Sequence, residues 1–144
     1  MDDAAAMRLA IALAAPQVGR TAENPAVGCL LVKEGRVIAQ AATADGGRPH
    51  AEEQALATAG ESARGAVAFV TLEPCGERSS GAASCAERLI AAGVARVVYA
   101  CDEADHRSNG RGPARLKAAG VPVEGGFLAA EAARLYADRG QGIP

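Results

Sequence analysis

Segments typical of strands and of helices alternate along the second half of the chain. Valine-rich apolar runs at residues 67–72 and 95–101 are separated by a helical stretch at residues 84–92. A further helix at residues 113–119 precedes a short strand at residues 121–124. Two strands joined through a helix normally lie parallel, with a right-handed connection between them. The alternation therefore predicts an α/β fold whose sheet is parallel in this half of the chain.

An antiparallel hairpin is predicted in the first half. Apolar runs at residues 26–32 and 36–41 flank a glycine-containing turn. Further helices are predicted at residues 3–15, 50–59 and 128–138. Pro16 ends the first of these and Gly60 caps the second. We therefore predict a three-layer α/β/α sandwich with a mixed five-stranded sheet, in a single domain spanning residues 1–144.

Charge and hydropathy exclude several classes of protein. The net charge is −2 and the arginines are spread singly, whereas proteins that bind nucleic acid polymers usually present a basic face. No apolar run approaches the roughly 18 residues that a membrane span needs. The N-terminal segment opens with acidic residues, unlike a signal peptide. We therefore expect a cytoplasmic protein whose 4 cysteines are thiols or metal ligands, with no nucleic acid polymer or membrane as partner.

One histidine and two cysteines have the chemistry and placement of a catalytic metal site. His50 stands at a predicted helix start, Cys75 follows a predicted strand, and Cys85 opens the next helix. An imidazole and two thiolates suit Zn²⁺, and three protein ligands leave its fourth position for water. Helix starts also favour thiolates, because the positive end of the helix dipole lies there. The sequence therefore predicts a zinc site formed by His50, Cys75 and Cys85.

Glu52 is the predicted catalytic acid and base. Zinc lowers the pKa of a bound water, and a carboxylate two residues from the histidine ligand can reach that water without binding the metal. Glu52 would accept the water proton and pass it to a departing ammonia, as the glutamate of the H-x-E pattern does in zinc deaminases. Cys29 and Cys101 are expected to be structural, Glu53 to face solvent or pair with an arginine, and His106 to be solvated.

Four segments together resemble a known family. They are NPAVGCLLVKEGRVIA, GRPHAE, VTLEPC and CAERLIAAGVARVV. The chain resembles the cytidine deaminase-like superfamily and, within it, the deaminase domain of bacterial riboflavin biosynthesis. The resemblance implies the same zinc ligands and proton shuttle, substrate contacts from Asn24, Ala51 and Arg78, and a homodimer or homotetramer. It also implies deamination of a diaminopyrimidinone that carries a ribosyl phosphate.

The departures from the family pattern fall where the substrate is recognised. The chain has PCGERSSGAASC, which is one residue longer than the family's P-C-x-H-x-G-[RK]-T-P-P-C and has Glu77 in place of its histidine. Upstream, Ala41 and Thr43 replace a glycine and a histidine of the family. An acidic residue here should weaken the binding of a phosphate dianion, unless Arg78 or Arg111 compensates.

Three functions are compatible with these residues. The first is the pyrimidine deaminase reaction of riboflavin biosynthesis, without the reductase domain of bifunctional members, because the chain ends at Pro144. The second is deamination of another heterocycle, such as a nucleoside or a guanine-type base. The third is a non-catalytic zinc-stabilised binding module, which requires a protein residue, for example Cys101 or His106, to fill the fourth zinc position.

Overall fold

A computed structural model describes residues 1–78, 81–104 and 109–137 of the chain. Its helices are α1 Asp3–Ala14, α2 Ala51–Ala59, α3 Cys85–Ala92, α4 Arg111–Ala118 and α5 Ala129–Ala133. Its strands are β1 Gly28–Lys33, β2 Arg36–Ala42, β3 Val67–Leu72, β4 Arg96–Cys101 and β5 Val123–Glu124. Short 3-10 helices lie at Ala15–Gln17, Asp45–Gly47 and Gly60–Ala63. Across the described ranges, none of the helices is long and apolar enough to cross a bilayer.

The strands form one mixed sheet in the order β2-β1-β3-β4-β5. β1 is antiparallel to both β2 and β3, whereas β4 is parallel to β3 and to β5. The predicted hairpin and the predicted parallel second half are therefore both confirmed. The prediction of a mixed five-stranded sheet is confirmed as well.

Helices cover both faces of this sheet. α1 packs on β1 and β3, and its Arg8 forms an ion pair of 3.0 Å with Glu131 of α5 on the same face. α2 packs on β1 and β2 on the other face, where it contacts α3, which in turn contacts α4. The approach of α1 to the sheet depends on Gly28, because a Cβ there would lie 1.9 Å from the carbonyl oxygen of Ala10. The three predicted layers are thus observed.

Two helix starts on the second face present the predicted ligands. His50 is the N-cap residue of α2, and the Glu53 carboxylate accepts a hydrogen bond of 3.1 Å from its backbone N–H. Ser84 is the N-cap residue of α3, where its hydroxyl and the Glu87 carboxylate form a reciprocal capping box. Because Ser84 begins the helix, Cys85 is its first helical residue.

The predicted C-terminal helix is wrong in length. The prediction placed it at residues 128–138, but α5 ends at Ala133, and residue 138 lies outside the described part of the chain. The following turns bury Tyr136, which is 2% exposed and whose hydroxyl lies 2.9 Å from Oγ1 of Thr71 in β3. Burial of this ring and its hydrogen bond outweigh the helix propensity of the alanine-rich segment.

Candidate active site

Three potential metal ligands converge at one edge of the sheet. The ligand atoms of His50, Cys75 and Cys85 all lie within 4.8 Å of one another. His50 comes from the start of α2, Cys75 from the loop after β3, and Cys85 from the start of α3. Nδ1 of His50 lies 3.4 Å from Sγ of Cys85. This arrangement can hold a metal ion, as the spacing of the three residues predicts.

The donor chemistry of this group fits a borderline-soft cation such as Zn²⁺. Sγ of Cys75 accepts a hydrogen bond of 3.2 Å from the backbone N–H of Cys85. The pKa of Cys75 is lowered to about 4, chiefly by a hydrogen bond from the Cys85 thiol, although burial opposes the shift. The same hydrogen bond, together with burial, raises the pKa of Cys85. The site therefore stabilises a thiolate beside an imidazole, which is the donor set that zinc prefers.

Glu52 lies next to these ligands and is almost fully enclosed. It is 4% exposed, and burial raises the pKa of its carboxyl to about 7. Negative charge on Cys75 acts in the same direction, whereas His50 opposes the shift. A carboxyl whose pKa lies near neutrality can both accept and donate a proton at physiological pH. The position of Glu52 beside the ligand group agrees with its predicted role as the catalytic acid and base.

A cavity of about 200 Å³ opens onto Glu52 and two of the potential ligands. Its lining residues are Asn24, Pro25, Val27, Thr43, His50, Glu52, Leu72, Glu73, Cys75, Glu77 and Glu103. The volume is small for a ligand site, and it suits a single heterocyclic ring rather than a ring with a long substituent. A larger groove of about 430 Å³ lies between α1 and α5, but the ligand group does not line it.

Asn24 is brought to the cavity, as the sequence predicts. Its amide Nδ2 donates a hydrogen bond of 2.9 Å to the carbonyl of Gly47. Gly47 has a φ of +96°, and a Cβ there would lie 2.8 Å from Nδ2 of Asn24. The glycine therefore allows the loop before α2 to lie close enough to fix the orientation of the Asn24 amide.

Ala51 and Arg78, the other predicted substrate contacts, do not line the cavity. Ala51 is 0% exposed in the first turn of α2. The Arg78 side chain is 6% exposed and pairs with the Glu53 carboxylate, and it is not among the lining residues of the cavity. Burial acts to raise the pKa of Glu53, but hydrogen bonds from Arg78 and from the His50 N–H lower it overall. The prediction that Glu53 pairs with an arginine is confirmed.

The remaining cysteines behave as predicted. Cys29 is 0% exposed and Cys101 is 2% exposed, and both belong to the hydrophobic core. Sγ of Cys101 contacts the carbonyl oxygen of Ala129 at 3.5 Å, and Cys101 is not part of the ligand group. His106, the other residue considered for a fourth metal ligand, lies outside the described residues.

Among the cavity residues without a role predicted from the sequence, Glu73 and Thr43 are buried and hydrogen-bonded. Glu73 is 6% exposed, and its carboxylate accepts hydrogen bonds from the N–H groups of Glu103, at 2.6 Å, and Gly110, at 2.8 Å. It thereby ties the loop after β4 to the loop that carries Cys75. Thr43 is 2% exposed, and its Oγ1 accepts a hydrogen bond of 2.9 Å from the Val27 N–H. A carboxylate at the end of a buried strand, directly before the Pro-Cys pair, was the signal that could have identified Glu73.

Comparisons with known proteins match the part of the chain that contains the ligand group. The family model of the cytidine and deoxycytidylate deaminase zinc-binding region matches residues 1–101. The riboflavin biosynthesis protein RibD of Escherichia coli (strain K12) is 45% identical over 129 residues, which cover 88% of this chain and 35% of that protein. The chain thus spans about a third of the length of this relative.

A shorter relative matches over most of its own length. The diaminohydroxyphosphoribosylamino-pyrimidine deaminase of Buchnera aphidicola is 37% identical over 131 residues, which cover 91% of this chain and 88% of that protein. Among solved structures, Acinetobacter baumannii RibD superposes with a TM-score of 0.86 at 43% identity, covering 91% of this chain and 36% of that one. Since the family match covers more than half of the sequence and the fold agrees, the chain belongs to the cytidine and deoxycytidylate deaminase zinc-binding family.

Proposed function

We propose that this protein is a zinc-dependent hydrolytic deaminase, which converts an exocyclic amine on a pyrimidine-like ring to a carbonyl and releases ammonia. The observation that carries this proposal is the convergence of His50, Cys75 and Cys85 beside the buried Glu52, at the wall of a cavity of about 200 Å³. A metal site with three protein ligands next to a carboxylate that is not a ligand is the arrangement of a hydrolytic zinc enzyme.

Each residue has a defined task in this reaction. His50, Cys75 and Cys85 would hold zinc, which supplies Lewis-acid activation of water when it is bound. Glu52 takes a proton from water as the water oxygen bonds to the ring carbon, and it delivers that proton to the amine as the carbon–nitrogen bond breaks. Asn24, whose amide is fixed by Gly47, orients the ring within the cavity. The second water proton moves to the adjacent ring nitrogen as the carbonyl forms, so one water is consumed, one ammonia leaves and the atoms balance.

The proposed substrate is the diaminohydroxyphosphoribosylaminopyrimidine of riboflavin biosynthesis. This proposal is supported by the Buchnera aphidicola deaminase named above, because the match with this chain covers 88% of the length of that relative. The cavity suits the pyrimidine ring, so the ribosyl phosphate must extend towards the cavity mouth. There, Glu77 forms ion pairs with Arg111 at 3.2 Å and with Arg115 at 3.5 Å, and all three side chains are about half exposed. Among the described residues, these two arginines pair with Glu77, and a phosphate could engage them instead.

Replacing Glu77 with glutamine is expected to lower the KM for the phosphorylated substrate. The substitution removes a negative charge from the cavity wall and releases two arginines for the phosphate. Exposed ion pairs contribute up to about 1 kcal/mol, so the expected change is up to about fivefold. Steady-state kinetics should show it for the phosphorylated substrate and not for its dephosphorylated form. In the matched variant Arg115→Gln, the KM for the phosphorylated substrate should rise instead.

Ammonia release from a panel of amines tests the proposed function directly. The purified protein is incubated with the phosphorylated riboflavin precursor, cytidine, guanine and adenine, and ammonia is measured. Turnover of the precursor alone supports the proposed substrate. Strong turnover of an unphosphorylated compound, with none of the precursor, would identify a deaminase of another heterocycle. The acidic Glu77 at the cavity wall favours such a substrate, because it would not repel a compound without a phosphate. Absence of ammonia from every compound would contradict a deaminase function for these substrate classes.

A further inference from the structure

We infer that Arg78 and Glu53 form a positioning pair, which fixes the three metal ligands relative to one another and places a permanent positive charge beside the Cys85 sulfur. This inference rests on the proposed metal-dependent function, and it gives Arg78 a role other than substrate binding. The two side chains form an ion pair with each other, and this pair contacts the ligand group at Cys85.

The pair contacts two of the three ligands directly and is joined to the third through the chain. Nη2 of Arg78 lies 3.6 Å from Sγ of Cys85 and also donates to the Glu53 carboxylate. That carboxylate accepts the backbone N–H of His50 at 3.1 Å. Arg78 itself belongs to the loop after β3, three residues beyond Cys75. The pair therefore connects the start of α2, the loop after β3 and the start of α3.

Burial makes these contacts effective. The Arg78 side chain is 6% exposed and that of Glu53 is 18% exposed, so water screens the two charges little. Nε of Arg78 is buried, and within the described residues it has no hydrogen-bond partner. The guanidinium thus leaves one donor unsatisfied while it stays between a carboxylate and a sulfur. Its place is explained by the Glu53 carboxylate and by the Cys85 sulfur, which carries negative charge when it binds a metal, rather than by a complete set of hydrogen bonds.

The charge of Arg78 acts on the metal through Cys85. A cation beside a thiolate lowers the energy of the sulfur electrons, and ligands held in a fixed arrangement bind a metal more tightly, so loss of the pair should weaken metal binding. Glu53 prevents Arg78 from turning towards the substrate cavity, which already contains carboxylates from Glu52, Glu73, Glu77 and Glu103. Without Arg78, the negative charge of Glu53 would remain next to the sulfur ligands, and among the described residues its remaining ion pair would be with the more exposed Arg88 at 3.5 Å.

Metal binding and cobalt spectroscopy of four variants test this role. They are Arg78→Met, Glu53→Gln, the double variant with both changes, and Arg88→Met as the matched control. Arg88 also approaches Glu53, at 3.5 Å, but its side chain is 37% exposed and none of its described contacts is with a sulfur ligand. Either single change leaves a buried charge without its partner and can destabilise the fold, whereas the double variant leaves neither charge.

The expected result separates a positioning role from a structural one. In Arg78→Met and in the double variant, zinc affinity in a chelator competition should fall roughly 10- to 100-fold, the range for residues that support metal ligands. The thiolate-to-cobalt charge-transfer band should move to longer wavelength, and kcat should fall while KM stays constant. Glu53→Gln should change affinity in the same direction, and the effects of the two single changes should not add. Arg88→Met should match the unmodified protein in all of these measurements.

Several outcomes would overturn the inference. If the double variant folds, binds zinc as tightly as the unmodified protein and keeps its cobalt spectrum, the pair is only structural. If Arg78→Met raises KM for the substrate with unchanged metal affinity, Arg78 is a substrate contact. If the unmodified protein itself binds no zinc, the proposed function fails first, and the inference fails with it.

Discussion

Replacing Glu52 with glutamine is expected to abolish most ammonia release while zinc stays bound. Glutamine has nearly the shape of glutamate but cannot accept and return a proton under these conditions. Proton transfer by a positioned side chain contributes roughly 100- to 10,000-fold to catalysis, so kcat should fall within that range. Since His50, Cys75 and Cys85 are untouched, zinc content measured by elemental analysis should equal that of the unmodified protein.

The stability of this variant distinguishes a catalytic effect from misfolding. Glu52 is 4% exposed, and burial raises its pKa to about 7, which shows that enclosure disfavours the charged carboxylate. A neutral amide at this position should therefore leave the free energy of unfolding unchanged or raise it. Glu61→Gln, on an exposed 3-10 helix away from the cavity, makes the same chemical change and should keep full activity. A Glu52→Gln protein that retains most of its turnover would rule out Glu52 as the acid and base.

The ligand group could be predicted from the sequence because each ligand is next to a local structural signal. His50 and Cys85 lie where helices begin, and Cys75 follows a strand of strongly apolar residues. Helix and strand boundaries depend mainly on neighbouring residues, and parallel strands present their ends at the same edge of a sheet. The approach of these three residues therefore follows from the strand and helix order alone.

The position of Arg78 could not be predicted in the same way. Its loop contains no strand or helix signal, and a basic residue near a proposed phosphate site suggests a substrate contact. The structure instead pairs Arg78 with Glu53, a residue 25 positions earlier in the chain, in a nearly buried environment. Such a pairing depends on the way loops and helix starts pack together, which a single sequence does not show. The oligomeric state and the cytoplasmic location stay predictions for the same reason, since neither follows from contacts within one chain.

The turn after α5 was missed because its cause is a long-range contact. The hydroxyl groups of Tyr136 and Thr71 lie 2.9 Å apart, although the two residues are 65 positions apart in the chain. Local propensity favoured continuing the helix through the alanines at the C-terminal end. Burial of a tyrosine ring contributes more than the helix propensity of a few residues. Wherever such a contact competes with propensity, the sequence pattern alone predicts the wrong boundary.

Serine replacement of Cys75 or Cys85 is expected to remove the metal, whereas serine replacement of Cys101 is expected to leave it bound. A serine hydroxyl is not deprotonated near neutral pH and is a poor zinc ligand in place of a thiolate. Cys75→Ser and Cys85→Ser should therefore lose the metal, with affinity reduced by more than about 100-fold, because even supporting residues cost 10- to 100-fold. Ammonia release should fall with the metal content, and added zinc should restore it only at concentrations that match the weaker affinity.

Cys101→Ser is the matched control for this series. Cys101 is 2% exposed, lies outside the ligand group, and contacts the Ala129 carbonyl at 3.5 Å, a contact that a serine hydroxyl can keep. A buried polar substitution of this kind costs about 1 kcal/mol of stability, and thermal unfolding should show it without loss of zinc. The chemical change is identical at each position, so zinc content should fall only where the replaced cysteine binds the metal. Retention of zinc by Cys85→Ser at wild-type affinity, measured by chelator competition, would remove Cys85 from the site and require a different third ligand.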